Sequence, residues 1–150
     1  MTLFDPSREQ VRRFFCETWR KEISGGLLTS QEAQAADLIR LHPEYHTLLG
    51  DVERALAEDY TVERGQTNPF LHLSMHLALA EQLSIDQPRG IVDAMERLAV
   101  KLGNAHAAAH EAIECLGRVV WEAQRGTLPA DAEAINAEYL DCLRKRASKA

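Results

Sequence analysis

All six histidines of this chain stand in pairs four residues apart: His42/His46, His72/His76 and His106/His110. On an α-helix, positions i and i+4 lie one turn apart on the same face. Two imidazoles held that way can point at one metal ion, a common reason for pairing them. The pattern therefore predicts helices that carry a metal centre.

The remaining sequence reads as helical as well, with no convincing alternation of period two. Pro6 suits a first helical turn after Asp5, and Val11, Phe14, Phe15, Trp19 and Ile23 mark one face up to Ser24-Gly25-Gly26. Thr29 and Glu32 form a capping box for a helix to about Leu41. Pro43 disfavours helical backbone at His42, so a new short helix with Glu44, Tyr45 and His46 should follow. Gly50 and Asp51 then stop one helix and cap another, Val52 to Tyr60. Asn68-Pro69 opens a helix to about Leu83 that is apolar almost all round and belongs in the middle of a domain. A turn at Asp86 to Gly90 leads into Ile91–Leu102, and Asn104 caps a helix to about Arg125. Pro129 should start the last helix, with Ile135, Tyr139, Leu140 and Leu143 as its buried stripe. The expected fold is all-α: a compact bundle of about six helices forming a single domain over residues 1–150.

Composition narrows the function classes. An apolar fraction of 45% and a charged fraction of 27% are those of a soluble globular protein, with room for a real core. A net charge of −6 argues against nucleic acid or an anionic membrane surface as partner. No apolar signal core or membrane-spanning run is present. Cys16, Cys115 and Cys142 are an odd number, widely spaced and without a CxxC, which reads as neither a disulfide framework nor a zinc ribbon. Cys115 is expected to be a buried thiol, and the compartment reduced and cytoplasmic. Trp19, Trp121 and Tyr45 are expected in the core. A small-molecule substrate stays unspecified, and a homo-oligomer stays open.

The three pairs differ in weight. His72 and His76 lie on an otherwise apolar helix, where two ring nitrogens per imidazole need partners that an ion and a backbone or carboxylate acceptor supply. His106 and His110 continue to Glu114 at i+8, a partial ligand set of two imidazoles and a carboxylate, although Glu114 lies two turns from His106 and, where both histidines share one ion, is better placed to bind a second ion or orient an imidazole. Alternatively, Glu114 pairs with Arg118 on a solvated face. Pro43 breaks the helical geometry of the first pair, leaving His46 as the better ligand and His42 as a helix-entry or outer residue. The two strong pairs sit at matching depth on their helices, so the expected site is shared: His72, His76, His106 and His110, with His46 as fifth contributor and Glu114 as candidate. A histidine-rich set suits a divalent transition metal such as Zn, Fe or Ni rather than Mg or Ca. The ExxH of carboxylate-bridged di-iron helices, HExxH, CxxCH, glycine-rich loops and GxSxG are all missing.

The run NPFLHLSMHLALAEQLSIDQPRGI (Asn68 to Ile91) resembles the core motif of a bacterial family known as domain of unknown function 1841. HPEYH (His42 to His46), RRFFCETWRK (Arg12 to Lys21) and the segment from His106 to Arg125 with ECLG and WEAQR extend the match over nearly the whole chain. The resemblance implies that the six histidines belong together, but implies no reaction. Hemerythrin-like and DinB-like metal-binding bundles are similar only in general plan. Three functions follow as expectations: a metalloprotein with an open coordination position, a metal-dependent structural or sensing module, and a metal-free interaction module.

Overall fold

The computed structural model describes residues 7–60 and 68–148. All regular structure among them is helical. Among the described residues there are eight α-helices and one 3-10 turn, against an expected count of about six, because the segment around Pro43 and Gly50 breaks into short pieces. No helix among the described residues is long and apolar enough to cross a membrane. The chain divides into two compact units, Met1–Leu77 and Ala78–Ala150.

The first unit holds α1 (Arg8–Ser24), α2 (Ser30–Arg40), a 3-10 turn (Pro43–Tyr45), α3 (His46–Leu49), α4 (Val52–Ala57) and the first part of α5 (Pro69–Ile85). Helix α1 starts two residues later than Pro6, which lies outside the described residues. Ser7 is its cap, and Ser7 and Gln10 form a capping box. The box expected at Thr29 is present: Glu32 N–H donates to Thr29 Oγ1 at 3.1 Å, and Thr29 N–H donates to Glu32 Oε1 at 3.0 Å. Helix α4 ends at Ala57, three residues short of the expected Tyr60. Arg12 explains how that end is held. Its buried guanidinium donates to the carbonyls of Ala55 and Glu58, each at 2.7 Å, and so supplies charged donors to carbonyl oxygens at the C-terminal end of α4. The same guanidinium lies 5.0 Å from the Phe70 ring, which anchors the first turn of α5 and so the position of His72. Phe15, Ile39, Leu49, Phe70 and Leu73 make the core, each contributing about 2 kcal/mol by burial.

The second unit holds the rest of α5, then α6 (Ile91–Leu102), α7 (Ala105–Gln124) and α8 (Ala132–Ser148). The expected turn before α6 is closed by the Asp86 carboxylate, which accepts from Gly90 N–H at 3.2 Å and Val92 N–H at 3.1 Å. Helix α8 begins at Ala132 rather than near Pro129, because Asp131 caps it by accepting from Ala134 N–H at 2.8 Å. Leu98, Ala108, Val119, Tyr139 and Leu143 are fully buried between α6, α7 and α8.

Two expectations fail here. Cys115 is no free thiol: it forms a disulfide with Cys142, joining α7 to α8 across a separation of 27 residues. Packing of the two helices brings their Cα atoms to 5.9 Å, a proximity that widely spaced cysteines do not disclose in sequence. Trp121 is 54% exposed rather than in the core, with the Arg125 guanidinium 4.3 Å from its ring centre. That i,i+4 stack covers part of the indole without burying it.

Candidate metal centre

In the first unit, the site begins at the C-terminus of α2. The last carbonyls of a helix have no partner in the following turn. Those of Leu38 and Ile39 each accept from a tightened backbone turn, Leu41 N–H at 3.1 Å and His42 N–H at 3.0 Å. Each also accepts from an imidazole: His42 Nδ1 at 2.8 Å on Leu38, and His46 Nε2 at 2.9 Å on Ile39. Pro43 keeps His42 out of helical backbone, with φ −127° and ψ 66°, and starts the 3-10 turn that carries the chain to His46. Thus both histidines of HPEYH cap α2, but through different ring nitrogens.

That difference sets their chemistry. A carbonyl only accepts, so Nδ1 of His42 carries a proton, and in the tautomer with that one proton Nε2 presents a lone pair. His46 is the reverse: its Nε2 is committed as donor, and its ring stacks on Trp19 with centres 4.1 Å apart.

Helix α5 brings the next two rings. Asn68 caps it by accepting from Phe70 N–H at 3.0 Å and Leu71 N–H at 3.2 Å, which puts His72 and His76 one turn apart near its start. His72 Nε2 lies 3.2 Å from His42 Nε2 and 3.2 Å from His76 Nε2. His42 and His76 are 2% and 3% exposed, and His72 is half-buried. The Tyr45 ring lies parallel to His42 at 5.3 Å and edge-on to His72 at 6.3 Å, closing one side. Burial, then the nearby Glu44 carboxylate, pushes the Tyr45 phenol above its ordinary range, so it stays neutral there.

Proton counting limits what these three nitrogens can do by themselves. His72 Nε2 either carries a proton or offers a lone pair. Carrying one, it donates to His42 or to His76; offering a lone pair, it meets the bare Nε2 of His42. One proton therefore serves one of the two contacts well. A cation beside His72 Nε2 would be one way to engage lone pairs from more than one of these rings. Ligands at 2.0–2.1 Å around tetrahedral zinc are about 3.3 Å apart, close to the observed 3.2 Å spacings.

In the second unit, Asn104 caps α7 by accepting from His106 N–H at 2.8 Å and Ala107 N–H at 3.1 Å. The rings of His106 and His110 are 4.2 Å apart between centres, and each offers a nitrogen within 4.8 Å of the other's. Both are half-buried, beside the fully buried Ala108 and Ala112. Glu114 follows on the same stripe but is occupied elsewhere: Arg146 Nη1 donates to it at 2.7 Å and also to Glu111. Arg118, the alternative partner of Glu114, binds Glu122 at 3.1 Å and Glu138 at 3.4 Å instead.

Of the residues singled out by sequence, His72 and His76 come together with His42, the histidine weighted least. His106 and His110 come close to each other. His46 faces the α2 carbonyl and Trp19, and Glu114 faces Arg146. Sequence reasoning gave no role to Arg146 or to the ring of Tyr45. For Tyr45 a signal existed, since it stands within the HPEYH turn; for Arg146 none did.

No curated protein and no solved structure matches the chain. The family described as domain of unknown function (DUF1841) matches residues 7–145, a span that contains all six histidines and every described helix except the last residues of α8. By that match over nearly its full length, the chain belongs to the DUF1841 family.

Proposed function

We propose that this protein binds a divalent transition metal, with His42, His72 and His76 as ligands from the first unit and His106 and His110 as a second donor pair. The observation that carries the reading is the approach of His42 Nε2 and His76 Nε2 to His72 Nε2, each at 3.2 Å, close to the spacing between two ligands of a tetrahedral ion. The Nδ1–H of His42 on a backbone carbonyl is the outer contact that metal-bound histidines usually make, fixing tautomer and ring orientation. In this reading His46 caps α2 and steadies the His42 turn, and Glu114 pairs with Arg146.

Neutral imidazoles without carboxylates suit Zn, Fe or Ni better than Mg or Ca. Three imidazoles leave a tetrahedral ion one position for water or another donor, the arrangement in which a metal acts as a Lewis acid. A fourth protein ligand would close the site and make the metal structural.

The test is elemental analysis of protein purified without a histidine tag, beside the variants H42A, H76A and H106A/H110A. About one or two equivalents of metal in the parent, lost in H42A and H76A, is the expected result. Loss of the same ion in H106A/H110A assigns both donor sets to one ion; retention of it assigns the second pair to a separate one. Folded parent protein that takes up no Zn, Fe or Ni would sink the proposal.

A further inference from the structure

We infer that the cleft between α1 and the start of α5 binds a small oxyanion, a phosphate or carboxylate group, with Arg12 and Arg8 as its cationic partners. Two guanidinium groups converge there: Arg12 Nη1 and Arg8 Nη2 each donate to the Glu58 carbonyl at 2.7 Å. Arg12 is 2% exposed, yet it takes part in no ion pair among the described residues. Neighbouring carboxylates are engaged elsewhere, Asp59 with Arg8 at 3.5 Å and Glu9 with Arg13 at 2.9 Å. The groups in contact with the Arg12 charge are neutral: the carbonyls of Ala55 and Glu58, and the rings of Tyr60 and Phe70 at 5.5 and 5.0 Å. Burial, then the like charge of Arg8, lowers the Arg12 pKa. A desolvated cation beside a second cation is costly without a counter-charge.

Capping α4 does not use up the group. Both carbonyl bonds come from Nη1, and the N–H groups of Nη2 and Nε make no hydrogen bond among the described residues. Arg12 lines a cleft of about 230 Å³ together with Arg8, Asn68, Phe70, Leu71 and Ser74. No carboxylate stands on that lining, so its charges are both positive. Asn68 Oδ1 is taken by the N–H groups of Phe70 and Leu71, which leaves its Nδ2 as a donor beside the Ser74 hydroxyl. A guanidinium fork, a second cation and neutral donors are the groups that recognise an oxyanion. The volume falls below the roughly 300–1,000 Å³ of sites for drug-sized ligands, so the ligand is the oxyanion itself or a small molecule that bears it.

Backbone amide shifts of the metal-free full chain test this, with sodium phosphate and sodium acetate titrated separately against sodium chloride at matched ionic strength. Removing metal first keeps the anions from reporting on a bound ion. Saturable shifts at Leu71 and Ser74 are expected with phosphate, with acetate or with both, and the arm that saturates names the group. R8Q should weaken that binding roughly tenfold, since Arg8 is exposed and its loss leaves the α4 carbonyls on Arg12. R12K keeps a cation but loses the planar fork, and should weaken it as well. If R12K fails to fold, R8Q and the parent titration still decide. No saturable shift in either arm, the same shifts with chloride, or an R8Q titration equal to the parent's overturns the inference. Metal content is measured apart from all of these, so the metal reading stands or falls separately.

Discussion

His42 donates its Nδ1–H to the carbonyl of Leu38 at 2.8 Å, and that one hydrogen bond decides which of its nitrogens faces His72. The expected tautomer in metal-free protein therefore has a protonated Nδ1 and a bare Nε2. Long-range proton–nitrogen correlation spectra read this directly. Adding Zn2+ should move the Nε2 resonance of His42 while Nδ1 stays protonated. A protonated Nε2 in the metal-free protein would remove the lone pair on which the first-unit site depends.

His46→Ala separates a structural histidine from a ligand. Removing its donor from the Ile39 carbonyl and its ring from Trp19 should destabilise the protein by about 1–3 kcal/mol. Metal content should be unchanged, because its Nε2 is already committed as a donor to a backbone oxygen. Denaturant unfolding measures the first effect and elemental analysis the second. Metal lost in H46A without loss of fold would restore His46 to the ligand set.

The parts legible in sequence were those encoded within a few residues. Thr29 with Glu32, Asn68 before Pro69, Asn104 before α7 and Gly103 after α6 each mark a helix end by a hydrogen bond or a left-handed turn. The i,i+4 rule likewise gave the closeness of His72 to His76 and of His106 to His110. Pro43 was read correctly as a break in the backbone, yet the same break turns the His42 ring onto His72. Local reasoning removes a residue from its helical neighbour and cannot say what it meets 30 residues away. Arg146 against Glu114 and Cys115 against Cys142 are invisible for the same reason, since only the packing of α7 on α8 makes them neighbours. The extra helices come from short segments whose ends were legible but whose separate identity was absorbed into a coarser count.

The cysteines give a compartment test. Alkylation of denatured, unreduced protein should label Cys16 alone, and prior reduction should expose Cys115 and Cys142 as well. Peptide mass spectrometry assigns the labels. Closing a 27-residue separation restricts the unfolded chain enough to contribute about 3–4 kcal/mol. C115S/C142S should therefore unfold at lower denaturant than the oxidised parent, and reductant should bring the parent down to meet it. Three labelled cysteines without reduction would return the chain to the reduced, cytoplasmic expectation.

Tyr139 makes alkaline stability measurable. It is 1% exposed, its hydroxyl donates to Gln82 Oε1 at 2.9 Å, and burial pushes its pKa up to about 12. In the unfolded chain a tyrosine titrates near about 10. The folded protein thus holds its proton where the unfolded chain has released it. This contribution is fully present below pH about 10 and is lost as pH rises through about 12. Tyr45 and Tyr60 are also raised by burial and share in the decline, so Tyr139→Phe should flatten it without abolishing it. Near neutral pH the same variant should cost about 1 kcal/mol, because Gln82 loses its donor. Urea unfolding from pH 7 to 12 measures both effects. A Tyr139→Phe curve parallel to the parent's above pH about 10 would show that the buried hydroxyl is not what titrates.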